Sequence, residues 1–329
     1  MTTQQVAPQP RGPEPQDEPT VPAPSRGAGG GRLTPRWLPW ALLAPALAVL
    51  AALLIYPLVW VVTLAFQDFG LRELREGGFY WTGLDNVREI LGDPLLWKTA
   101  LPNTVVFAVV CVVLTVVVGT LVALLLLRLG PWGRGVLTTA IMVAWAMPAV
   151  SGTYIWVYIF DTSDGMVMNV LSSIGLADPD TTNWFTDRLF FYGIATLNVV
   201  HHGFPFVAVT VLAGLLTVPR EVLESAEMDG ANAWRRFWNV TYPLMKPIFA
   251  VVVVLSTIWD FKVFTQIYLM PGGSGTNRDV LNLGTWSYLE GISQNRYGYG
   301  AAVAVVLTLL LLAITAVYLR TLFKQDELT

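Results

Sequence analysis

A chain of 329 residues in which 54% are hydrophobic and only 13% are charged lies outside the range of soluble domains, where charged residues make up about a quarter. It reads as an integral membrane protein. The formal net charge of -3 provides no basic footprint for nucleic acid, which excludes that partner. The single cysteine, Cys111, allows neither a disulfide framework nor a thiolate metal site within one chain.

Residues 1–36 are rich in Pro, Gly, Gln, Glu and Arg, a composition that buries too little apolar surface to offset chain entropy, and they read as a disordered tail. The first apolar run begins near Trp37 and exceeds a signal-peptide core, so it is expected to remain as a span. Because about 20 apolar residues cross the hydrocarbon as a helix, runs at 38–66, 100–127, 136–160, 190–217, 247–270 and 299–320 predict six spans. Lipid leaves backbone groups no outside partner, so runs of this length must be helical and the fold class is all-α. In the loop after the first run, FYWTGLDNVREILGDPLLW places Leu84, Val87, Ile90 and Leu91 at helical spacing, with Asp85 as an expected cap. A short helix at the membrane interface is expected there. Pro57, Pro148 and Pro205 fall inside spans, where each frees a carbonyl that needs another partner.

Orientation follows from Lys and Arg in the short loops. With the N-terminus inside, twelve of them from Arg11 to Lys324 lie on the cytoplasmic side and seven from Arg72 to Arg296 lie outside. Both termini are therefore expected in the cytoplasm. Asp161, Asp164, Asp178, Asp180 and Asp187 cluster between the third and fourth runs and read as solvated loop residues.

The polar stretch ESAEMDGANAWRRFWNVTYPLMKP, Glu224 to Pro247, falls between the fourth and fifth spans. Pro219 suits a first helical turn, and Val222, Leu223 and Ala226 form a partly apolar face beside Glu221, Glu224 and Glu227. Gly230 permits a tight turn, after which ANAWRRFWNV predicts a second short helix. Pro243 and Pro247 are expected to limit helix continuation at the mouth of the fifth span.

These residues carry a specific resemblance. Glu224, Ser225, Ala226, Asp229, Gly230, Ala231, Phe237, Val240, Tyr242, Pro243 and Leu244 resemble the EAA loop of ABC importer permeases, whose usual form is EAA, DGA, a hydrophobic pair and LP. The departures are Ser225 for Ala and Tyr242 for Leu. GLDN at Gly83 to Asn86, LLTVPREVLESA before the loop and FTQIYLMPGGSGTNRDVL after the fifth span are similar to the carbohydrate branch, although Pro271 precedes the glycine pair instead of following it. The resemblance spans Trp37 to Phe323, with 219–247 as the loop and 324–329 as a short tail. It is nearest to the permease half with the longer first outer loop, as in maltose-type and glycerol-phosphate-type importers.

The resemblance implies a six-helix permease that carries a sugar or oligosaccharide by alternating access and binds no cofactor itself. Its partners would be a second, similar permease, two ATP-hydrolysing subunits and an extracytoplasmic substrate-binding protein. The first loop helix would dock on an ATP-hydrolysing subunit, with Ser225, Ala226 and Ala231 allowing close approach, Glu224 pairing with a basic residue and Gly230 setting the angle between the helices. The alternatives are a permease for glycerol phosphate or another polar solute and, from a different class, an ion-coupled secondary transporter.

Catalytic motifs are missing: the chain has no GxxxxGK[ST], HExxH or GxSxG. His201 and His202 are the only histidines, and adjacent helical positions point about 100° apart, which is poor geometry for joint metal ligation. Polar residues inside spans mark either interhelical hydrogen bonds or a path. Asn198, His201, His202 and Pro205 follow i, i+3, i+4, i+7 spacing on the fourth span, and Trp259, Lys262 and Gln266 follow the same pattern on the fifth, with Asp260 and Thr265 close by.

Overall fold

A computed structural model describes residues 37–271 and 277–326. The 1–36 tail, residues 272–276 of the glycine-rich stretch and residues 327–329 lie outside the described residues. Contacts divide the chain into two units between Tyr56 and Pro57. The described part of the first unit is α1 (Leu38–Leu50) followed by a π turn at Ala51–Ile55.

Helix α2 (Tyr56–Leu64) lies in the second unit from Pro57 onward. A two-residue antiparallel strand pair follows, with β1 (Gln67–Asp68) set against β2 (Tyr80–Trp81) and α3 (Leu71–Glu76) enclosed between them. Gly70 N–H donates to Glu73 Oε2 at 3.0 Å at the head of α3. Helix α4 (Asp85–Gly92) is the short helix expected in the first loop, but Leu84 occupies the cap position. Asp85 is the first helical residue, and its Oδ1 accepts from Arg88 Nη1 at 3.2 Å instead of capping. Asn86 of the GLDN segment is the anchor: its Nδ2 donates to Ala65 O at 3.0 Å and Gln67 O at 2.9 Å.

A π turn at Leu96–Ala100 leads into α5 (Leu101–Arg128). Then come α6 (Pro131–Trp145), α7 (Ala149–Ile159), α8 (Met166–Ser173) and α9 (Arg188–Leu215). The loop helices α10 (Arg220–Met228) and α11 (Ala233–Arg236) precede a π turn at Phe237–Thr241 and α12 (Tyr242–Phe261). The order ends with α13 (Thr265–Leu269), α14 (Leu283–Tyr288), a π turn at Leu289–Ser293 and α15 (Tyr297–Asp326). Among the described residues, five helical runs are long and apolar enough to cross a membrane, Leu38–Leu64, Leu96–Arg128, Arg188–Leu215, Ala233–Leu269 and Tyr297–Tyr318, and a sixth if the bent pair Pro131–Trp145 and Ala149–Ile159 is one span.

The expected third span, 136–160, is not a straight helix. Helices α6 and α7 meet at 91°, with Pro148 in an extended conformation (φ -57°, ψ 133°) between them. Proline disfavours helical geometry at the residue before it and removes a backbone donor, so apolar composition runs on while helix direction does not. Pro243 and Pro247 correct the sequence reading the other way, since α12 runs through both. The preceding π turn accounts for this at Pro243. Tyr242 N–H donates to Phe237 O, five residues back, and this wider turn spreads the carbonyls that the proline ring would otherwise strike. The same arrangement of five π residues, one further residue and a proline recurs at Ala51–Ile55 before Pro57 and at Leu96–Ala100 before Pro102.

Helices α5 and α9 form the central pair. Small and polar residues line much of the buried face of α5, including Asn103, Ala108, Cys111, Thr115 and Ala123. Gly119 sits so close to α9 that a Cβ there would fall 2.5 Å from Val207 Cγ1. Close backbone approach through small residues is how helices gain packing contact in lipid, where apolar burial offers little. At the α6 end of this pair, Arg134 caps α5: its Nε donates to Leu126 O at 3.1 Å, and its Nη2 donates to Leu127 O at 3.0 Å and Leu129 O at 3.2 Å. The loop acid Asp161 likewise accepts from Asp164 and Ser163 N–H, and these bonds hold its carboxyl below the usual range.

At the first-loop end, polar side chains hold the chain after residue 277 inside the bundle. Asn103 Nδ2 donates to Asp279 O at 3.0 Å and Leu281 O at 2.8 Å, and Leu283 N–H donates to Thr104 Oγ1 at 2.9 Å. Tyr192 Oη donates to Val280 O at 2.9 Å. Arg296 ties α15 to α4, since it reaches Glu89 Oε1 at 2.6 Å and Glu290 Oε2 at 3.2 Å and lies 4.1 Å from the Tyr299 ring centroid.

Candidate functional site

The α10–α11 loop is built by local turn chemistry. Helix α10 closes with Ala231 N–H donating to Ala226 O at 3.0 Å and Gly230 N–H donating to Glu227 O at 2.9 Å. This is a Schellman closure, and it requires the left-handed backbone that Gly230 adopts at φ +79°. Asn232 then caps α11 by accepting from Arg235 N–H at 2.9 Å. The DGAN tetrapeptide is therefore the stop signal of one helix and the start signal of the next.

The two loop helices are joined by an ion pair between Arg236 and Glu227. Glu224, Ser225 and Asp229 are exposed, Ala226 and Ala231 are half-buried, and Pro243 is exposed in the first turn of α12. A groove of about 360 Å³ lies between these helices and the bundle, lined by the apolar Leu124, Leu127, Leu215 and Phe237 and by the charged Arg220, Glu224, Glu227 and Arg236. Glu224 forms no ion pair among the described residues, so a cation from outside the chain can reach it. Met228, at the tip of α10, is 88% exposed. Sequence reasoning missed the Glu227–Arg236 pair because no helical spacing relates residues on opposite sides of a turn.

The fold keeps the fourth-span stripe on one helix and interrupts the fifth-span stripe. On α9, Asn198 and Pro205 are buried, His202 is half-buried and His201 is exposed; the Nδ2 of Asn198 has no hydrogen-bond partner among the described residues. On the fifth span, Trp259 and Lys262 are exposed and Gln266 is buried. Their expected helical spacing fails because α12 ends at Phe261 and α13 begins at Thr265. Asn282 occupies this break by donating to Val263 O at 2.7 Å. The structure instead brings together three rings from three spans. Phe206 stacks 6.2 Å from Trp145, beside the 91° bend, and meets Trp259 edge-on at 4.9 Å. Asp260, next to Trp259, is buried with no hydrogen-bond partner for its Oδ2 among the described residues. A buried, unpaired polar atom inside a span is a functional lead.

Spans, a bent helix pair and a two-helix loop after Arg188–Leu215, the fourth crossing when the bent α6–α7 pair is counted as one span, define a transport permease rather than an enzyme. The model of the family "binding-protein-dependent transport system inner membrane component" matches residues 115–326. The chain belongs to that family, as a multi-pass membrane permease of an ABC importer. Among curated relatives, it is 39% identical over 88% of both chains to the diacetylchitobiose uptake system permease protein DasB of Streptomyces coelicolor. It is 31% identical to the trehalose transport system permease protein SugA of Mycobacterium tuberculosis, over 84% of this chain and 86% of that one. A crystal structure of a bacterial ABC transporter that imports the acidic polysaccharide alginate contains a chain with the same fold, at TM-score 0.73 and 21% identity, covering 87% of this chain and 94% of the other.

Proposed function

We propose that this chain forms half of a path for a sugar or oligosaccharide, beside a second, similar permease. Two ATP-hydrolysing subunits would drive it and an extracytoplasmic binding protein would deliver the substrate. The observation that carries the substrate class is the 39% identity, over 88% of both chains, to a diacetylchitobiose permease. The Trp145–Phe206–Trp259 rings support it, because flat aromatic faces suit the apolar faces of pyranose rings. Trp259, His201 and Lys262 are the groups this chain presents outward to the path, and Asn198, His202 and Gln266 shape the wall behind them.

In this reading the α10–α11 loop and both termini face the cytoplasm. Helix α10 transmits ATP-driven closure. Glu224 pairs with a cation on the ATP-hydrolysing subunit, Ser225, Ala226, Asp229 and Ala231 let that subunit approach, and Gly230 and Pro243 hold the loop geometry. The test is to purify the complex with its binding protein and measure ATP hydrolysis against a panel of solutes. Stimulation by a saccharide alone supports the proposal, and stimulation only by a non-saccharide solute rejects the substrate class.

A further inference from the structure

The loop sorts its charges and aromatic rings between its two halves. Helix α10 carries Glu221, Glu224 and Glu227 and is followed by Asp229; from there no acid occurs until Asp260. The second half carries Arg235, Arg236 and Lys246 in the same interval as Trp234, Trp238 and Tyr242. Arg236 is taken up by Glu227. Arg235 and Lys246 are exposed and form no ion pair among the described residues.

The rings form a ladder. Trp234 and Trp238 meet at 5.6 Å, Trp238 and Tyr242 at 5.2 Å, and Tyr242 and Phe249 at 5.4 Å. Exposure declines along it, from 71% at Trp234 to 44% at Trp238 and 8% at Phe249. Lys246 follows Tyr242 by one helical turn, so it extends the same face. The ladder belongs to the Ala233–Leu269 run, which is long and apolar enough to cross a membrane, and its open rungs stand at the N-terminal end of that run, before the apolar stretch begins. Trp and Tyr are enriched at membrane–water interfaces, and an anionic cytoplasmic leaflet attracts Lys and Arg while repelling the acids of α10.

We propose that Trp234, Arg235, Trp238 and Lys246 form a docking surface for the anionic headgroups of phosphatidylglycerol-type lipids. One half of the loop thus faces the membrane and leaves the acidic half for a protein partner. This rests on the reading that the loop faces the cytoplasm. The experiment reconstitutes the whole complex into nanodiscs of phosphatidylcholine with and without phosphatidylglycerol, and follows the immobilised fraction of spin-labelled forms of each lipid.

The parent should immobilise phosphatidylglycerol in preference. Arg235→Gln and Lys246→Gln should each reduce that preference about fivefold, the factor that corresponds to ~1 kcal/mol per cation at an anionic surface. A fluorophore on Trp234→Cys in a Cys111→Ser background should be quenched by headgroup nitroxides, whether or not the ATP-hydrolysing subunits are present. An unchanged lipid preference in the double variant, or a fluorophore shielded by those subunits and unquenched by lipid, overturns the proposal in favour of a protein contact. An impermeant thiol reagent that reaches this cysteine only from the extracytoplasmic side sinks the orientation and the lipid proposal together. Reaction from the cytoplasmic side with no lipid preference sinks the lipid proposal alone.

Discussion

The two ends of the bundle satisfy their polar groups differently. At the first-loop end, Asn86, Asn103, Thr104, Tyr192 and Asn282 each form a hydrogen bond with distant backbone, and Arg296 bridges two carboxylates. At the α10–α11 end the bonds span few residues, as turn closures, one ion pair and the Arg134 cap on the last turn of α5, and Glu224, Met228 and Trp234 are left exposed. The first end is completed by its own chain. The second is folded but unfinished, the state expected of a surface that a partner completes.

This contrast predicts that substitutions at the two ends separate function from stability. The largest effect is expected at Glu224→Lys, which places a cation where a partner cation is proposed to sit. Transport should fall by more than tenfold, in line with the ~2 to 5 kcal/mol lost when a buried hydrogen-bonded charge pair loses one member at an interface. The unfolding temperature of the isolated permease should not move. A parallel loss of thermal stability would erase the distinction between the two ends.

Arg296→Met should act in the opposite sense. The Glu290 side chain is 7% exposed, so removal of its partner strands a buried carboxylate at a cost of about 3 kcal/mol. Thermal unfolding in detergent would register this, and Glu290→Gln in the same chain should restore part of the loss. Asn103→Ala comes next, since two carbonyls held from 176 and 178 residues away lose their donor. A loss of about 2 kcal/mol is expected. The smallest effect belongs to Glu227→Gln at the loop end: the Glu227 side chain is 67% exposed, and such a pair contributes about 0 to 1 kcal/mol. If Glu227→Gln unfolds the permease at a lower temperature than Arg296→Met, the loop end is the more self-sufficient one and the comparison is reversed.

What was legible in the sequence follows from interaction range. Six apolar runs register in composition alone, and the turn residues Gly230 and Asn232 act within four residues of themselves, so the loop could be read directly. The third span could not be read fully, because hydropathy sums do not record direction and Pro148 has the same residue type as Pro205, which α9 accommodates without a break. The fifth-span stripe was not legible as one face for a related reason, whereas Asn198 to Pro205 keep their spacing on the unbroken α9. Spacing from Trp259 to Gln266 assumes one continuous helix, and the interruption after Phe261 is stabilised by Asn282, 19 residues from the carbonyl it serves. The Arg296–Glu89 pair spans 207 residues, and a pair at that range has no periodicity to reveal it.

The π turn at Phe237–Thr241 also has a rotational consequence. Such a turn holds about one residue more than an α-helical turn, and at 3.6 residues per turn one residue is worth about 100° of phase. The faces of α11 and α12 are therefore offset although they belong to one continuous rod. Under the proposed coupling, a twist applied at α11 would reach Trp259 with that offset already wound in.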